Sequence, residues 1–150
     1  MSLLNLLMSP AGLSFDRALV RWTGRSLLNQ VFARQAGFAS QPALLLETRG
    51  RLSGKTRAAA LPYFRIDGKL LIVGSKGGQP TDPAWVSNLR AEPRVSVYID
   101  RKRRTAQARI AQGSERAALW EELVHQVPVY ATYQASTTRE IPVVVLETSA

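Results

Sequence analysis

The spacing of apolar residues divides the chain into an N-terminal helical part and a longer part dominated by strands. From Ser14 to about Ala36, apolar residues recur at the three- and four-residue intervals typical of an amphipathic helix. This spacing predicts one continuous helix, with Ser14 as its N-cap and Gly37 as its C-terminal stop. The apolar stripe of this helix consists of Phe15, Leu19, Trp22, Leu28, Val31 and Phe32.

Two roles for this predicted helix remain open. An apolar stripe of this kind usually packs against the body of a domain, which would bury Phe15 and Trp22. Because Arg17, Arg21 and Arg25 accompany the stripe, the alternative is a basic amphipathic helix that lies on an anionic membrane surface.

From Pro42 onward the apolar period changes from helical to extended. The segment ALLLETRG predicts a strand that ends at Gly50, and residues 51–67 predict a turn followed by a second strand. Asp67-Gly68 is a typical hairpin turn, and KLLIVGS after it predicts a third strand.

Helices and strands alternate in the rest of the chain. TDPAWVSNLRAEP predicts a short helix that ends before Pro93, and RVSVYID with TAQARIA predicts a hairpin with residues 101–104 at or near its turn. SERAALWEELVHQVP predicts a helix that buries Leu119 and Leu123, residues 129–139 look irregular, and REIPVVVLET predicts the closing strand. The pattern therefore predicts one mainly β domain over residues 1–150, an antiparallel barrel of about six strands with flanking helices and an N-terminal helical segment 1–37.

Composition removes several classes of function. The chain has no cysteine and one histidine, His125, which lies in a helical pattern. A structural metal centre and a self-contained hydrolytic triad are therefore not expected. No run of apolar residues approaches the roughly 18 that a spanning helix needs, and the N-terminus lacks a basic leader. We expect a cytoplasmic protein, with peripheral contact to the inner face of the cell membrane through the first helix as the open alternative.

Charge points to an anionic ligand. The formal net charge is +9, and two glycine-containing loops concentrate cations beside strand ends. Residues 48–57 carry two glycines, two threonines, a serine and four cations, and residues 75–78 read Ser-Lys-Gly-Gly. Glycine lets backbone N–H groups approach an oxyanion, and arginine can grip phosphate with two hydrogen bonds. Trp85, a few residues further on, either walls the same groove or lies in the core.

These blocks together resemble the deazaflavin (F420)-dependent nitroreductase family of split β-barrel oxidoreductases. The matching segments are TRGRLSGKTR, ALPYF, DGKLLIVGSKGG, DPAWVSNLRAEPRV, ERAALWEELV and IPVVVLE, which span about Leu44 to Glu147. The resemblance implies a split β-barrel enzyme that transfers hydride from reduced F420 to an electron-poor or unsaturated organic acceptor, such as a quinone, an enone or a nitro compound. It also implies a homodimer.

The resemblance carries over to individual positions of this chain. Ser75, Tyr130 and Tyr133 match positions near the acceptor and are the implied catalytic residues. The implied cofactor-binding residues are Arg51, Ser53, Arg57, Leu61, Pro62, Ser75, Lys76, Gly77, Trp85 and Asn88.

Three positions depart from the nitroreductive members. Leu52 stands where a lysine is frequent, and Val127 and Ser136 stand at aromatic positions. The acceptor pocket is therefore expected to differ from theirs.

Two alternatives to this function remain. The same barrel could hold FMN, FAD or a tetrapyrrole instead of F420. A nucleic-acid-binding module could use the cations at residues 101–104. Nucleic acid is not expected as a partner, because the aromatic residues do not interleave with the basic ones as a stacking platform requires.

Overall fold

The computed structural model describes residues 3–36 and 41–148. Six α-helices are described in these ranges: α1 Leu3–Met8, α2 Pro10–Thr23, α3 Leu27–Ala36, α4 Ala84–Ala91, α5 Gly113–Gln126 and α6 Val129–Ala135. The strands of the same ranges are β1 Ala43–Arg49, β2 Thr56–Pro62, β3 Phe64–Ile66, β4 Lys69–Val73, β5 Arg94–Ile99, β6 Lys102–Ile110 and β7 Val143–Thr148.

The strands form one curled antiparallel sheet in the order β2-β1-β5-β6-β7-β4-β3. A single residue, Tyr63, separates β2 from β3, yet these two strands lie at opposite edges of the sheet. Since one residue spans only about 3.4 Å, the sheet must curl until its two edges meet. The predicted split barrel with flanking helices is confirmed.

Both faces of the sheet are covered along β1 and β7, which explains why their sequences are apolar without alternation. Leu44 and Leu46 of β1 point into the barrel, whereas Leu45 packs outside it beneath Val20 of α2. In β7, Val144 lies inside and Val145 lies outside, beneath α5 and α6.

Several local predictions are confirmed. Asp67 and Gly68 have φ values of +52° and +73°, which is the left-handed pair that a tight hairpin needs. The short helix α4 ends at Ala91 and is followed by Pro93. Helix α5 buries Leu119 and Leu123.

The predicted second strand divides at Tyr63, which gives seven strands where about six were expected. β2 pairs with β1, and after Tyr63 the chain changes partner and pairs with β4. The residues predicted at the tip of the second hairpin are also shifted. Asp100 and Arg101 form the turn, with φ values of +52° and +66°, and Lys102 already belongs to β6.

Residues 129–139 are not irregular throughout, since Val129–Ala135 forms α6. This helix has only seven residues, which is too short for apolar periodicity to reveal it. Its stability comes from packing, because Tyr130 is buried and Tyr133 half-buried one turn further along.

The N-terminal segment is not one helix from Ser14. Helix α2 begins at Pro10, and the hydroxyl of Ser9 caps it by accepting a hydrogen bond from Gly12 N at 3.1 Å. Gly24 ends α2 with a φ of +71°, which separates α2 from α3. The proposed stop at Gly37 and the side chain of Phe32 lie outside the described residues.

Helix α2 packs on the barrel through a different face from the one predicted. Val20 and Asp16 are buried, and the Asp16 carboxylate accepts hydrogen bonds from Ser26 Oγ at 2.6 Å and Leu28 N at 3.0 Å, which ties α3 to α2. Phe15 and Trp22 are instead 56% and 71% exposed. The prediction that the apolar stripe packs on the domain is therefore wrong for these two residues.

Candidate active site

A cavity of about 370 Å³ lies where the end of β2, the end of β4 and helix α6 meet the N-terminal helices. This volume falls in the range of roughly 300–1,000 Å³ that small-molecule sites occupy. Five of the residues predicted from the sequence line it, namely Pro62, Ser75, Gly77, Tyr130 and Tyr133. A second cavity, of about 730 Å³ between α2, α3 and the sheet, contains none of the predicted site residues.

The N-terminal helices supply a wall of this cavity that the sequence patterns did not indicate. Leu4 and Met8 of α1 line it together with Leu28 and Asn29 of α3. Asn29 is held in place, because its Nδ2 donates a hydrogen bond to Gln41 O at 2.8 Å. No local motif marks these positions, because they reach the cavity only through the packing of α2 on the sheet.

Tyr130 and Tyr133 form an aromatic group with Trp120 and Phe64. The Tyr130 ring stacks on Trp120 at a centroid distance of 6.2 Å, meets Phe64 edge-on at 6.1 Å, and lies 6.3 Å from the Tyr133 ring. Burial raises the pKa of both tyrosine hydroxyls above their usual value, most strongly at Tyr130. Both residues therefore keep their hydroxyl protons at neutral pH and can donate a hydrogen bond into the cavity.

The backbone after β4 turns in an unusual way at the cavity edge. Ser75 is right-handed, and the next three residues are left-handed, with φ values of +45° at Lys76, +62° at Gly77 and +78° at Gly78. Where a right-handed residue is followed by a left-handed one, the successive N–H groups form a concave nest of the kind that binds anions. The Lys76 ammonium is exposed beside it and donates to Thr81 Oγ1 at 3.3 Å.

Gly78 joins this turn to helix α6. A Cβ at Gly78 would lie 2.2 Å from Ser136 Oγ and 2.6 Å from Tyr133 O, so only glycine fits there. The Ser136 hydroxyl also reaches Gly78 O, at 3.3 Å. A Cβ at Gly77 would meet nothing within 4 Å. The turn is therefore seated directly on the helix that carries the two tyrosines.

The β1–β2 loop presents the second group of cations. Its backbone is closed by hydrogen bonds from Gly50 N to Lys55 O at 2.8 Å and from Gly54 N to Gly50 O at 2.7 Å. Ser53 Oγ accepts from Lys55 N at 3.2 Å and lies 3.5 Å from Arg57 Nη2. Ser53 thus organises the loop and the Arg57 guanidinium.

Asn88 fixes the start of this loop from inside the protein. Its Oδ1 accepts from Arg51 N at 3.2 Å and from Arg51 Nη1 at 3.0 Å, and its Nδ2 donates to Thr48 Oγ1 at 3.3 Å. Asn88 and Trp85 are buried, and Trp85 belongs to the barrel core. Leu61 also packs toward that core, outside the cavity lining.

The loop cations are available to an external anion. Within residues 3–36 and 41–148, the basic partners of ion pairs are Lys69, Arg90, Arg103, Arg109, Arg116 and Arg139. Arg51, Lys55 and Arg57 are exposed and are not among them. Strand β2 links this loop to the cavity, and its seven residues span about 20 Å. An elongated ligand with an anionic end and a flat apolar end matches this arrangement.

A protein-family model described as F420H(2)-dependent quinone reductase matches residues 24–148. A Mycobacterium tuberculosis protein named F420H(2)-dependent quinone reductase is 40% identical over 108 residues, which are 70% of this chain and 72% of that protein. The solved structure of an F420-H2 dependent reductase, FDR-A, is 41% identical with a TM-score of 0.63, and the match covers 71% of this chain and 94% of that one. A structure described as a domain-swapped dimer is 36% identical with a TM-score of 0.64, covering 79% and 94%.

The fold and these relatives together place the chain among the split-barrel oxidoreductases. The chain belongs to the F420H2-dependent quinone reductase family, which confirms the deazaflavin resemblance drawn from its sequence blocks.

The two glycines of the turn should respond differently to alanine. We expect Gly78→Ala to lose about 2 kcal/mol or more of unfolding free energy, because the new Cβ would overlap Ser136 and the Tyr133 carbonyl. Gly77→Ala should lose only about 1 kcal/mol, the cost of a left-handed alanine in open space. Urea denaturation of both variants measures this difference, and equal losses would show that Gly78 does not seat the turn on α6.

Proposed function

We propose that this protein transfers a hydride from reduced F420 to a quinone, with the deazaflavin ring and the acceptor in the 370 Å³ cavity. The observation that carries the proposal is the pairing of an apolar, tyrosine-bearing cavity with an uncompensated cationic loop along one strand. The activity for which these relatives are named supports the same substrate pair. The FMN and FAD alternatives have no support from these relatives.

The cationic loop would hold the anionic end of the cofactor. Arg51 and Arg57 offer guanidinium groups, oriented by Asn88 and Ser53, to the phosphate and glutamate tail. Lys76 and the nest at its backbone would contact the same cofactor nearer the ring. Pro62 and Gly77 present backbone without bulky side chains to the cavity, which leaves room for a flat ring.

Bound reduced F420 would supply the hydride through its own chemistry. Reduction of a quinone by one hydride also consumes one proton, which gives the hydroquinone. Tyr133 is half-buried and keeps its proton at neutral pH, so it can donate a hydrogen bond to the quinone oxygen as negative charge develops there. Ser75 also lines the cavity and can hold the acceptor, and the apolar wall of α1 would limit the access of water to the reacting centre.

Enones and nitro compounds remain further candidate acceptors. Val127 is buried and lines the cavity at a position where the nitroreductive members carry an aromatic residue. Because valine is smaller, the cavity is wider at this wall in the present chain. A flat quinone fits such a widened apolar site.

F420 binding tests the cofactor assignment. Titration of oxidised F420 with the protein, followed by fluorescence, should show saturable binding, and FMN and FAD should not bind. Arg57→Ala and Lys76→Ala should each weaken F420 binding roughly tenfold or more, since each removes a charge-assisted contact. Arg104→Ala removes the same charge from β6 and serves as the matched control with unchanged affinity. Clear preference for a flavin would refute the assignment.

The exposed face of the N-terminal helices supports a membrane contact. Five large apolar side chains are more than half exposed there: Leu3, Leu6, Met8, Phe15 and Trp22. Arg21 and Arg25 of the same helical segment are also exposed. Within the described ranges, no helix is long and apolar enough to cross a bilayer. We therefore propose that this face rests on an anionic lipid surface.

Liposome flotation distinguishes this contact from self-association. The protein should float with vesicles that contain anionic lipid, and Trp22→Ser with Phe15→Ser should reduce the bound fraction several-fold. Leu52→Ser is the control, because Leu52 is 90% exposed on the β1–β2 loop and lies off this face. If the double variant floats normally but changes oligomeric state in size-exclusion chromatography, the face joins two copies of the chain instead.

A further inference from the structure

Arg139, in the segment between α6 and β7, donates several hydrogen bonds to the backbone of the turn that follows β4. Its Nη1 donates to Gly74 O at 3.0 Å, its Nη2 to Ser75 O at 2.7 Å, and its Nε to Gln79 O at 2.8 Å. Nη1 also pairs with Asp82 Oδ1 at 2.8 Å, and the Arg139 side chain is only 14% exposed. One largely shielded guanidinium thus donates to backbone carbonyls on both sides of the left-handed turn.

The turn needs such support. Lys76 to Gly78 are three consecutive residues in the left-handed region, and Lys76 is not a glycine. Side-chain-bearing residues adopt this conformation at a free-energy cost, so the surrounding structure must enforce it. The carbonyls that Arg139 binds flank this run at Ser75 and Gln79.

The geometry of the peptide unit connects Arg139 to the N–H groups on the other side of the turn. The described chain has no cis peptide bond, so each C=O and the N–H of the next residue point in opposite directions across one plane. When Arg139 holds Ser75 O, it also fixes the direction of the Lys76 N–H. In the same way, its bond to Gly74 O fixes the Ser75 N–H. These are N–H groups of the nest described above.

Arg139 itself is held in position. Gln134 of α6 donates through Nε2 to Arg139 O at 2.7 Å and accepts from Ile141 N at 2.9 Å. Asp82 is shared with Arg90 of α4, whose Nη1 lies 2.6 Å from Asp82 Oδ2. Through these contacts, Arg139 joins the turn to both α6 and α4.

We propose that Arg139 is a positioning residue for F420: it orients the N–H groups of Ser75 and Lys76 before the cofactor binds. This inference rests on the proposed function for the identity of the ligand. Arg139 acts through the backbone, since its guanidinium is occupied by the three carbonyls and Asp82.

Two measurements on Arg139→Gln test this role. The first is proteolysis of the cofactor-free protein by a lysine-specific protease, read by mass spectrometry, because the chain has four lysines and Lys76 is the one in this turn. Cleavage after Lys76 should accelerate about tenfold or more, while cleavage after Lys102 stays unchanged. The second is F420 titration by fluorescence, in which the affinity should fall about tenfold or more.

Matched variants separate the loss of the three carbonyl hydrogen bonds from the simple loss of positive charge. Arg90→Gln removes the other partner of Asp82 without touching the turn carbonyls, and it should resemble the wild type in both measurements. Arg139→Lys keeps a charge opposite Asp82, but one ammonium cannot span three carbonyls, so it should restore only part of the wild-type behaviour. If Arg139→Lys fully restored wild-type cleavage and affinity, the proposed role of the carbonyl hydrogen bonds would be contradicted. Wild-type cleavage and affinity in Arg139→Gln would contradict it as well.

The two readouts keep this inference distinct from the proposed function. If the wild type does not bind F420, the proposed function fails, while cleavage after Lys76 still reports whether Arg139 orders the turn. If Arg139→Gln does not fold, the same measurements are made on Arg139→Lys. A lysine variant that also failed to fold would contradict the proposal, which confines the effect of this contact to the turn.

Discussion

The whole arrangement depends on the meeting of the two edges of the sheet at Tyr63. Because β2 and β3 are separated by one residue and lie at opposite ends of the strand order, the sheet has to curl closed. This closure brings the end of β2 beside the end of β4, where the left-handed turn begins. The cavity exists at that junction, and α6 and the N-terminal helices cover it from outside.

The turn at residues 75–78 gives this junction the backbone features of the proposed binding site. At the cavity edge the backbone changes from right-handed at Ser75 to left-handed at Lys76, and a lysine and two glycines follow one another there. Its close contact with α6 couples the backbone that would meet the cofactor to the helix that carries Tyr130 and Tyr133. At the far end of β2, the loop from Gly50 to Lys55 supplies positive charge that no carboxylate in the described part of the chain neutralises within ion-pair distance. The same strand therefore connects a cationic loop with an apolar cavity that carries tyrosine and serine hydroxyls.

The parts of the fold that could be predicted are those encoded by adjacent residues. Asp67-Gly68 specifies its hairpin because both positions require a left-handed backbone, and the apolar run of β1 signals a strand buried on both faces. The cationic loop and the Ser-Lys-Gly-Gly turn were also visible, since each is a compact local motif.

Features that depend on distant contacts could not be predicted. Arg139 reaches carbonyls about 60 positions away, and Leu4 and Met8 reach the cavity only after α2 docks on the sheet. The packing face of α2 was predicted wrongly for a physical reason. Val20 and the hydrogen-bonded Asp16 form that face, and a buried aspartate does not contribute to an apolar pattern. The apolar pattern therefore indicated the side of the helix that is exposed.

The most direct test of the proposed hydride transfer is the rate at which a soluble quinone oxidises reduced F420 in the presence of this protein. We expect enzyme-dependent oxidation, with one hydroquinone formed for each F420 oxidised. We also expect Tyr133→Phe to lower turnover at saturating cofactor while F420 affinity stays close to that of the wild type. Absence of enzyme-dependent oxidation, or an equal loss of turnover and affinity in Tyr133→Phe, would contradict the assignment of this cavity as the site of hydride transfer.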